Sequence, residues 1–183
     1  IVCEDDIFLG ENAAAIFGED GWIPEGAGVV RLEACKPKTL IGKAAVSTVA
    51  GRKVHPLRVA RAGAGAYLIS RSCAQVLHAH SRVFCDPVDQ FLYSSGLFHK
   101  KSFGIYQIDP SPAIQEVFLK NDRVLGSSLF KERLYKEMDS NNLTIIRISI
   151  RKIYRFFGKI MKKLKEKFES VFTNNRWVRI GFR

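Results

Sequence analysis

Three consecutive acids, Glu4, Asp5 and Asp6, follow directly on the apolar triplet Ile1-Val2-Cys3. Carboxylates this close repel one another, and a hard divalent cation is the partner that neutralises such a cluster. The triplet reads as the end of a β-strand, and in open α/β sheets ligands bind outside the carboxyl ends of the strands. A solvated acidic turn is the competing reading, and the tripeptide alone does not choose between them. An apolar triplet running into acids, with no Met and no signal-like segment before it, predicts that the sequence starts inside a domain.

The other chemistry-bearing residues are less organised. Cys3, Cys35, Cys73 and Cys85 lie far apart, with no CxxC and no His at zinc spacing. They read as small buried hydrophobes in a reducing compartment, which predicts cytoplasmic placement. Arg61-Ala62-Gly63-Ala64-Gly65 lacks the GxGxxG spacing of a dinucleotide site and reads as a turn. His78 and His80 fall on a helix end where solvation is usual, and nothing selects His55 or His99 as a metal ligand. No Ser-His-Asp order stands out.

The elements that must position these residues are short. Val29–Leu32 reads as a strand, and Ala44–Ala50 and Val54–Val59 as a hairpin about Gly51-Arg52-Lys53. Gly63–Gly65 turns into a strand at Ala66–Ile69, and Ser70 caps a helix from Arg71 to about His80. Pro87 opens a helix that Val88–Leu92 continues, and Gly104–Ile108 is a strand closed by Pro110 and Pro112. A short helical stretch at Asn12–Phe17 and a helix over Leu129–Met138 complete the pattern. Short strands alternating with helices make this an α/β domain.

Length and charge set the outer limits. The 183 residues are 46% hydrophobic, enough to bury a core and to exclude disorder of the whole chain. No apolar run reaches the roughly 18 residues that a spanning helix needs. The net charge of +11 asks for a polyanionic partner, nucleic acid or an anionic membrane. Arg147 to Arg183 carries twelve Lys or Arg and two acids, leaving residues 1–146 at a net +1. A nucleic-acid-binding domain would carry this charge on its folded body, so the split predicts a near-neutral catalytic or binding domain with a basic appendage. The boundary falls between 1–142 and 143–183.

Four segments then occur in a telling order. After the apolar-Glu4-Asp5-Asp6 segment come Ala66-Tyr67-Leu68-Ile69-Ser70-Arg71, Pro87-Val88-Asp89-Gln90-Phe91-Leu92 and Pro112-Ala113-Ile114-Gln115. This series resembles glycosyltransferase family 25, the bacterial lipooligosaccharide galactosyltransferases and their relatives, over about residues 1–116. The resemblance implies a GT-A-like, Rossmann-like nucleotide-sugar transferase domain using a UDP-sugar, UDP-galactose above all, with Mn²⁺ or Mg²⁺. It implies a lipooligosaccharide or related cell-surface glycan as acceptor. Such a domain normally has further βαβ units before its acidic motif, so the resemblance also implies one that is incomplete at the N-terminus. A chain of this length standing alone would lack half the donor site; as a fragment, its function would belong to the parent protein.

Residue roles follow from the same resemblance. Asp6, with Glu4, corresponds to the metal-binding acidic motif, and Glu4 or Asp5 to contacts with the ribose. Asp89 is the candidate general base for the acceptor hydroxyl; its alternative is a first-turn Asp favoured by the helix dipole. Asp86 is the competing carboxylate and reads as an N-cap. Arg71 would face the donor phosphates and Gln115 the sugar or the metal, whereas Tyr67 and Ser70 read as a core strand and its cap.

The last segment is the most periodic. Ile153, Phe156, Phe157, Ile160, Met161, Leu164, Phe168 and Phe172 form one apolar stripe, with Lys and Arg over much of the remaining surface. A helix from Ile150 to Phe172 would lie in a membrane interface, pack on the domain, or bind nucleic acid. The first reading suits an enzyme held at the inner face of the cytoplasmic membrane. The alternative function is a non-catalytic membrane-surface module whose acidic turn is incidental, or an inactive fragment of a transferase.

Overall fold

Adjacent valines at the centre of the main sheet face opposite ways, and both are fully buried. Val29 packs with Cys73, Leu77 and Leu92, while Val30 packs with Ile16, Trp22, Val54 and Ile108. Side chains alternate across a strand, so a strand apolar at consecutive positions must be covered on both faces. The computed structural model describes residues 1–59, 63–81, 87–93, 103–119, 168, 170 and 173–183.

Along the chain the elements are β1 (Val2–Cys3), β2 (Ile7–Leu9), α1 (Ala13–Gly18), β3 (Ala27–Arg31), β4 (Glu33–Ala34) and β5 (Thr39–Gly42). They continue as β6 (Ser47–Val49), β7 (Arg52–Val59), β8 (Ala66–Ile69), α2 (Arg71–His80) and α3 (Val88–Leu92). β9 (Gly104–Asp109), β10 (Ala113–Gln115), a 3-10 turn (Glu116–Phe118) and β11 (Asn175–Val178) close the series. The main sheet has the order β1-β8-β3-β9-β7-β5-β11, with β6 paired to β7. β3 and β9 run parallel, and the other neighbours in it are antiparallel. A smaller sheet, β2-β10-β4, joins the segments that follow β1, β9 and β3. The result is a mixed α/β domain, as the alternating pattern predicts.

Local chemistry explains several elements. The Ser70 hydroxyl accepts from the Cys73 amide at 3.2 Å and caps α2. Pro87 stands at the N-cap of α3. The β6–β7 hairpin turns on two residues, Ala50 and Gly51, both at positive φ, since Val49 already pairs with Arg52. The strands therefore run closer to the turn than the Gly51–Lys53 connection read from sequence.

The C-terminus requires a correction. Residues 174–183 are not part of a helical tail: β11 pairs antiparallel with β5, from Asn175 opposite Gly42 to Val178 opposite Thr39. Ile180 is buried with Ala34, Ile41 and Leu57. Burial of Ile180 and the strand preference of Trp177 and Val178 outweigh the charge of Arg176, Arg179 and Arg183 around them. Those arginines serve the domain: Arg176 pairs with Asp109 at 3.7 Å, Arg183 with Glu11 at 3.5 Å, and Arg179 Nε donates to the Lys36 carbonyl at 3.2 Å. Residues 1–123 with 174–183 form one compact unit and residues 124–173 another. In the second, Phe168 and Ser170 are helical. The helix read over Leu129–Met138 and most of that over 150–172 lie outside the described residues. Among those described, no helix is long and apolar enough to cross a membrane.

Candidate active site

The acidic turn is held from three sides. β1 pairs with β8, Val2 opposite Tyr67 and Cys3 opposite Ala66, which delivers Glu4 to the loop preceding β8. There the Glu4 amide donates to the Gly65 carbonyl at 2.7 Å, and the Glu116 amide donates to the Asp6 carbonyl at 2.9 Å. The third tie is a side-chain contact across 111 residues: Gln115 Nε2 donates to Glu4 Oε2 at 2.6 Å. Gln115 ends β10, opposite Ile7 of β2. The turn thus lies at the carboxyl end of β1, beside the carboxyl end of β3, which runs the same way.

Glu4 and Asp5 are exposed, and Asp6 is partly buried. Asp6 Oδ1 is shut off from solvent with no hydrogen-bond partner among the described residues. A buried carboxylate oxygen left without a donor is costly, and a cation is a partner that would satisfy it. No group of three or more His, Cys, Asp or Glu that could hold a metal occurs among the described residues. A divalent ion here would therefore draw one or two carboxylates from the turn and its remaining oxygens from ligand or water, which is the usual pattern for Mg²⁺ beside substrate phosphates. Asp6 fits that role by its unpaired oxygen; Glu4 already gives one oxygen to Gln115.

Asp89, in the first turn of α3, reaches the same loop. Its Oδ2 accepts from the Gly63 amide at 3.1 Å, and its Oδ1 accepts from the Gln90 amide at 2.8 Å. Gly63 to Gly65 therefore lies between the acidic turn and Asp89 and is bonded to each. Tyr67 stands near the turn: burial first, and the Glu4 charge second, push its hydroxyl pKa up. Arg71 is exposed at the start of α2, and no hydrogen bond or ion pair joins it to this group among the described residues. His55 is buried, with Nδ1 at 2.9 Å from the Gly42 carbonyl, which makes it a structural residue of the β5–β7 region. Asp86, Cys85 and His99 lie outside the described residues.

Beneath the loop are two charged residues that sequence reasoning missed. Arg31 and Glu33 are fully excluded from solvent, with Arg31 Nε 3.5 Å from Glu33 Oε1. Arg31 Nη2 also donates to Cys35 Sγ at 2.9 Å, and the guanidinium lies 5.5 Å from the centre of the Tyr93 ring. Burial pushes the Glu33 carboxyl up to about 7, against the pull of Arg31 and of the Gly65 amide, and the Glu4 charge adds to the rise. Burial likewise raises the Tyr93 hydroxyl. The available signal was the run Val29-Val30-Arg31-Leu32-Glu33-Ala34-Cys35: charges spaced by two inside an apolar strand point to one face, and to one another.

Comparison with known proteins gives the chain relatives. No protein-family model matches the chain. It is 27% identical over 179 residues to the lacto-N-neotetraose biosynthesis glycosyltransferase LgtE of Neisseria meningitidis, covering 91% of this chain and 63% of that protein. It is 32% identical over 146 residues to the lipooligosaccharide biosynthesis protein lic2B of Haemophilus influenzae, covering 72% and 52%. A third relative, the lipooligosaccharide biosynthesis protein lex-1 of Haemophilus influenzae, is 27% identical over 143 residues, covering 72% and 47%. The resemblance to the family 25 lipooligosaccharide glycosyltransferases is borne out. The chain spans about half to three fifths of the length of these relatives. The four segments that carry the family 25 resemblance are those that meet here: the acidic turn, β8, the start of α3 and the end of β10.

Proposed function

We propose that this protein is a glycosyltransferase that moves a sugar, galactose from UDP-galactose, onto lipooligosaccharide or a related cell-surface glycan. The observation that carries the reading is the meeting of the four segments around Gly63–Gly65, with Glu4 bonded to Gln115 and Asp89 bonded to Gly63. The domain is read as GT-A-like, with the donor at the carboxyl ends of β1 and β3. Asp6, with Glu4, would hold Mn²⁺ or Mg²⁺, and such an ion, when bound, neutralises charge developing on the departing diphosphate. Glu4 and Asp5 are read as ribose contacts, Arg71 as a phosphate contact, and Gln115 as the residue that orients Glu4 and meets the sugar.

Asp89 is read as the general base. As the acceptor oxygen bonds to the anomeric carbon, its proton passes to the Asp89 carboxylate, and the carbon–oxygen bond to UDP breaks with its electron pair leaving on the diphosphate. The Gly63 amide on Oδ2 and the Gln90 amide on Oδ1 hold the carboxylate in one orientation.

The membrane reading now rests on fewer residues. With 174–183 built into the domain, residues 147–173 keep nine Lys or Arg against two acids. Each near an anionic leaflet is worth about 1 kcal/mol, enough to hold the protein at the inner face of the cytoplasmic membrane. The test is UDP release from UDP-galactose by the full-length protein that contains this sequence, with Mn²⁺ and lipooligosaccharide in anionic vesicles. Acceptor-dependent release, greater than from UDP-glucose, is expected. Co-sedimentation with the vesicles but no binding or turnover of any UDP-sugar would overturn the transferase reading in favour of a membrane-surface binding module.

A further inference from the structure

A buried ion pair contributes little net stability over apolar side chains of equal volume, because both charges must be stripped of water. What the Arg31–Glu33 pair holds is therefore more informative than the pair itself. Above it, a Cβ at Gly63 would run into Glu33 Oε1 and one at Gly65 would come 2.8 Å from Glu33 Oε2, so the loop backbone lies directly on the carboxylate. Gly63 also adopts φ +95, a conformation that L side chains rarely take. The Gly65 carbonyl accepts from the Glu4 amide at 2.7 Å. On the other side, the Gly63 amide donates to Asp89, and Arg31 stacks on Tyr93, whose own amide donates to the Asp89 carbonyl at 3.2 Å.

We propose that the buried Arg31–Glu33 pair is the positioning unit of the site, fixing the Gly63–Gly65 backbone and Tyr93 and thereby the separation of the acidic turn from Asp89. That this separation governs turnover rests on the transferase reading; that the pair fixes the backbone does not. Neither side chain touches substrate, since both are sealed beneath the loop.

Two variants separate positioning from stability. Arg31→Met/Glu33→Leu replaces the pair with apolar groups and keeps or raises Tm. It removes the carboxylate on which the Gly63–Gly65 backbone rests, so the loop opens more often and hydrogen exchange at the Gly63 and Gly65 amides speeds up about tenfold, while Ile41 in β5 is unchanged. Turnover of UDP-galactose falls about 100-fold in kcat, with little change in the donor KM. Glu33→Gln keeps an acceptor oxygen but removes the negative charge that offsets the buried guanidinium, so it lowers Tm and, while folded, retains turnover. A merely structural pair predicts the opposite order, with kcat following Tm. Turnover that tracks Tm across the two variants overturns the proposal, as does unchanged exchange at Gly63 and Gly65 in the double variant. Should Glu33→Gln not fold, the double variant decides alone. Faster exchange at those two amides in the double variant, together with a wild-type protein that turns over no UDP-sugar, would uphold the positioning role and overturn the transferase reading instead.

Discussion

On the proposed transferase reading, Asp6→Ala is expected to lower the Mn²⁺-dependent turnover of UDP-galactose about 1,000-fold in kcat without lowering Tm. The two halves of that result have one cause. Asp6 Oδ1 is buried without a hydrogen-bond partner among the described residues, so in the free protein the carboxylate is an expense that alanine relieves. In the donor complex the same oxygen is the one able to take a hard cation, and loss of a cation that offsets charge on a diphosphate leaving group is worth several kcal/mol of barrier. Activity and stability must therefore move apart. Steady-state kinetics across a Mn²⁺ titration, with a melting curve of each protein, makes the check. Unchanged activity at saturating Mn²⁺ would remove Asp6 from the metal site.

Asp89→Asn is the second large effect. Asparagine keeps a carbonyl oxygen where Asp89 Oδ2 accepts from Gly63 and gives up only the exposed contact of Oδ1 with the Gln90 amide, so the loop stays in place. What is lost is the ability to take a proton, and general-base catalysis is worth about 100- to 10,000-fold. A fall of that size in kcat is expected, with donor KM and Tm close to wild type. A kcat within tenfold of wild type would return Asp89 to the role of a first-turn Asp favoured by the helix dipole.

Much of the fold was legible where β-branched runs meet clear punctuation. Val29-Val30 and Ala66–Ile69 are strands, Ser70 caps α2, and Pro87 opens α3, each for the local reason that the residue types supply. Thr39–Gly42 was less visible, being four residues after Lys36-Pro37-Lys38, with a pairing that depends on a partner more than 130 residues away. β11 was hidden by the arginines in and after it: a basic run suggests a solvated tail, and only the apolar Trp177, Val178 and Ile180 oppose that suggestion.

The site shows the same division. Glu4, Asp6 and Asp89 were chosen from motifs, but the contact of Glu4 with Gln115 joins strands distant in sequence, and no local pattern announces it. Arg31 and Glu33 went unread because charged residues are seldom buried unless paired. Their pairing across the junction of β3 and β4, beneath Gly63 and Gly65, is a tertiary fact. Gly63-Ala64-Gly65 was correctly taken as a turn, yet its reason is close approach: the absence of side chains at 63 and 65 lets the backbone rest on Glu33 while reaching both Glu4 and Asp89.

The central claim is that the acidic turn, Gly63–Gly65, Asp89 and Gln115 form one donor site. Paramagnetic broadening of backbone amide signals by Mn²⁺ added together with UDP tests it most directly. The account predicts the strongest broadening at Ile7, Gly65, Asp89 and Gln115, and little at Trp177 on the opposite edge of the main sheet from β1. Broadening that is as strong at Trp177 as at Gly65, or that is unchanged by Asp6→Ala, would contradict it.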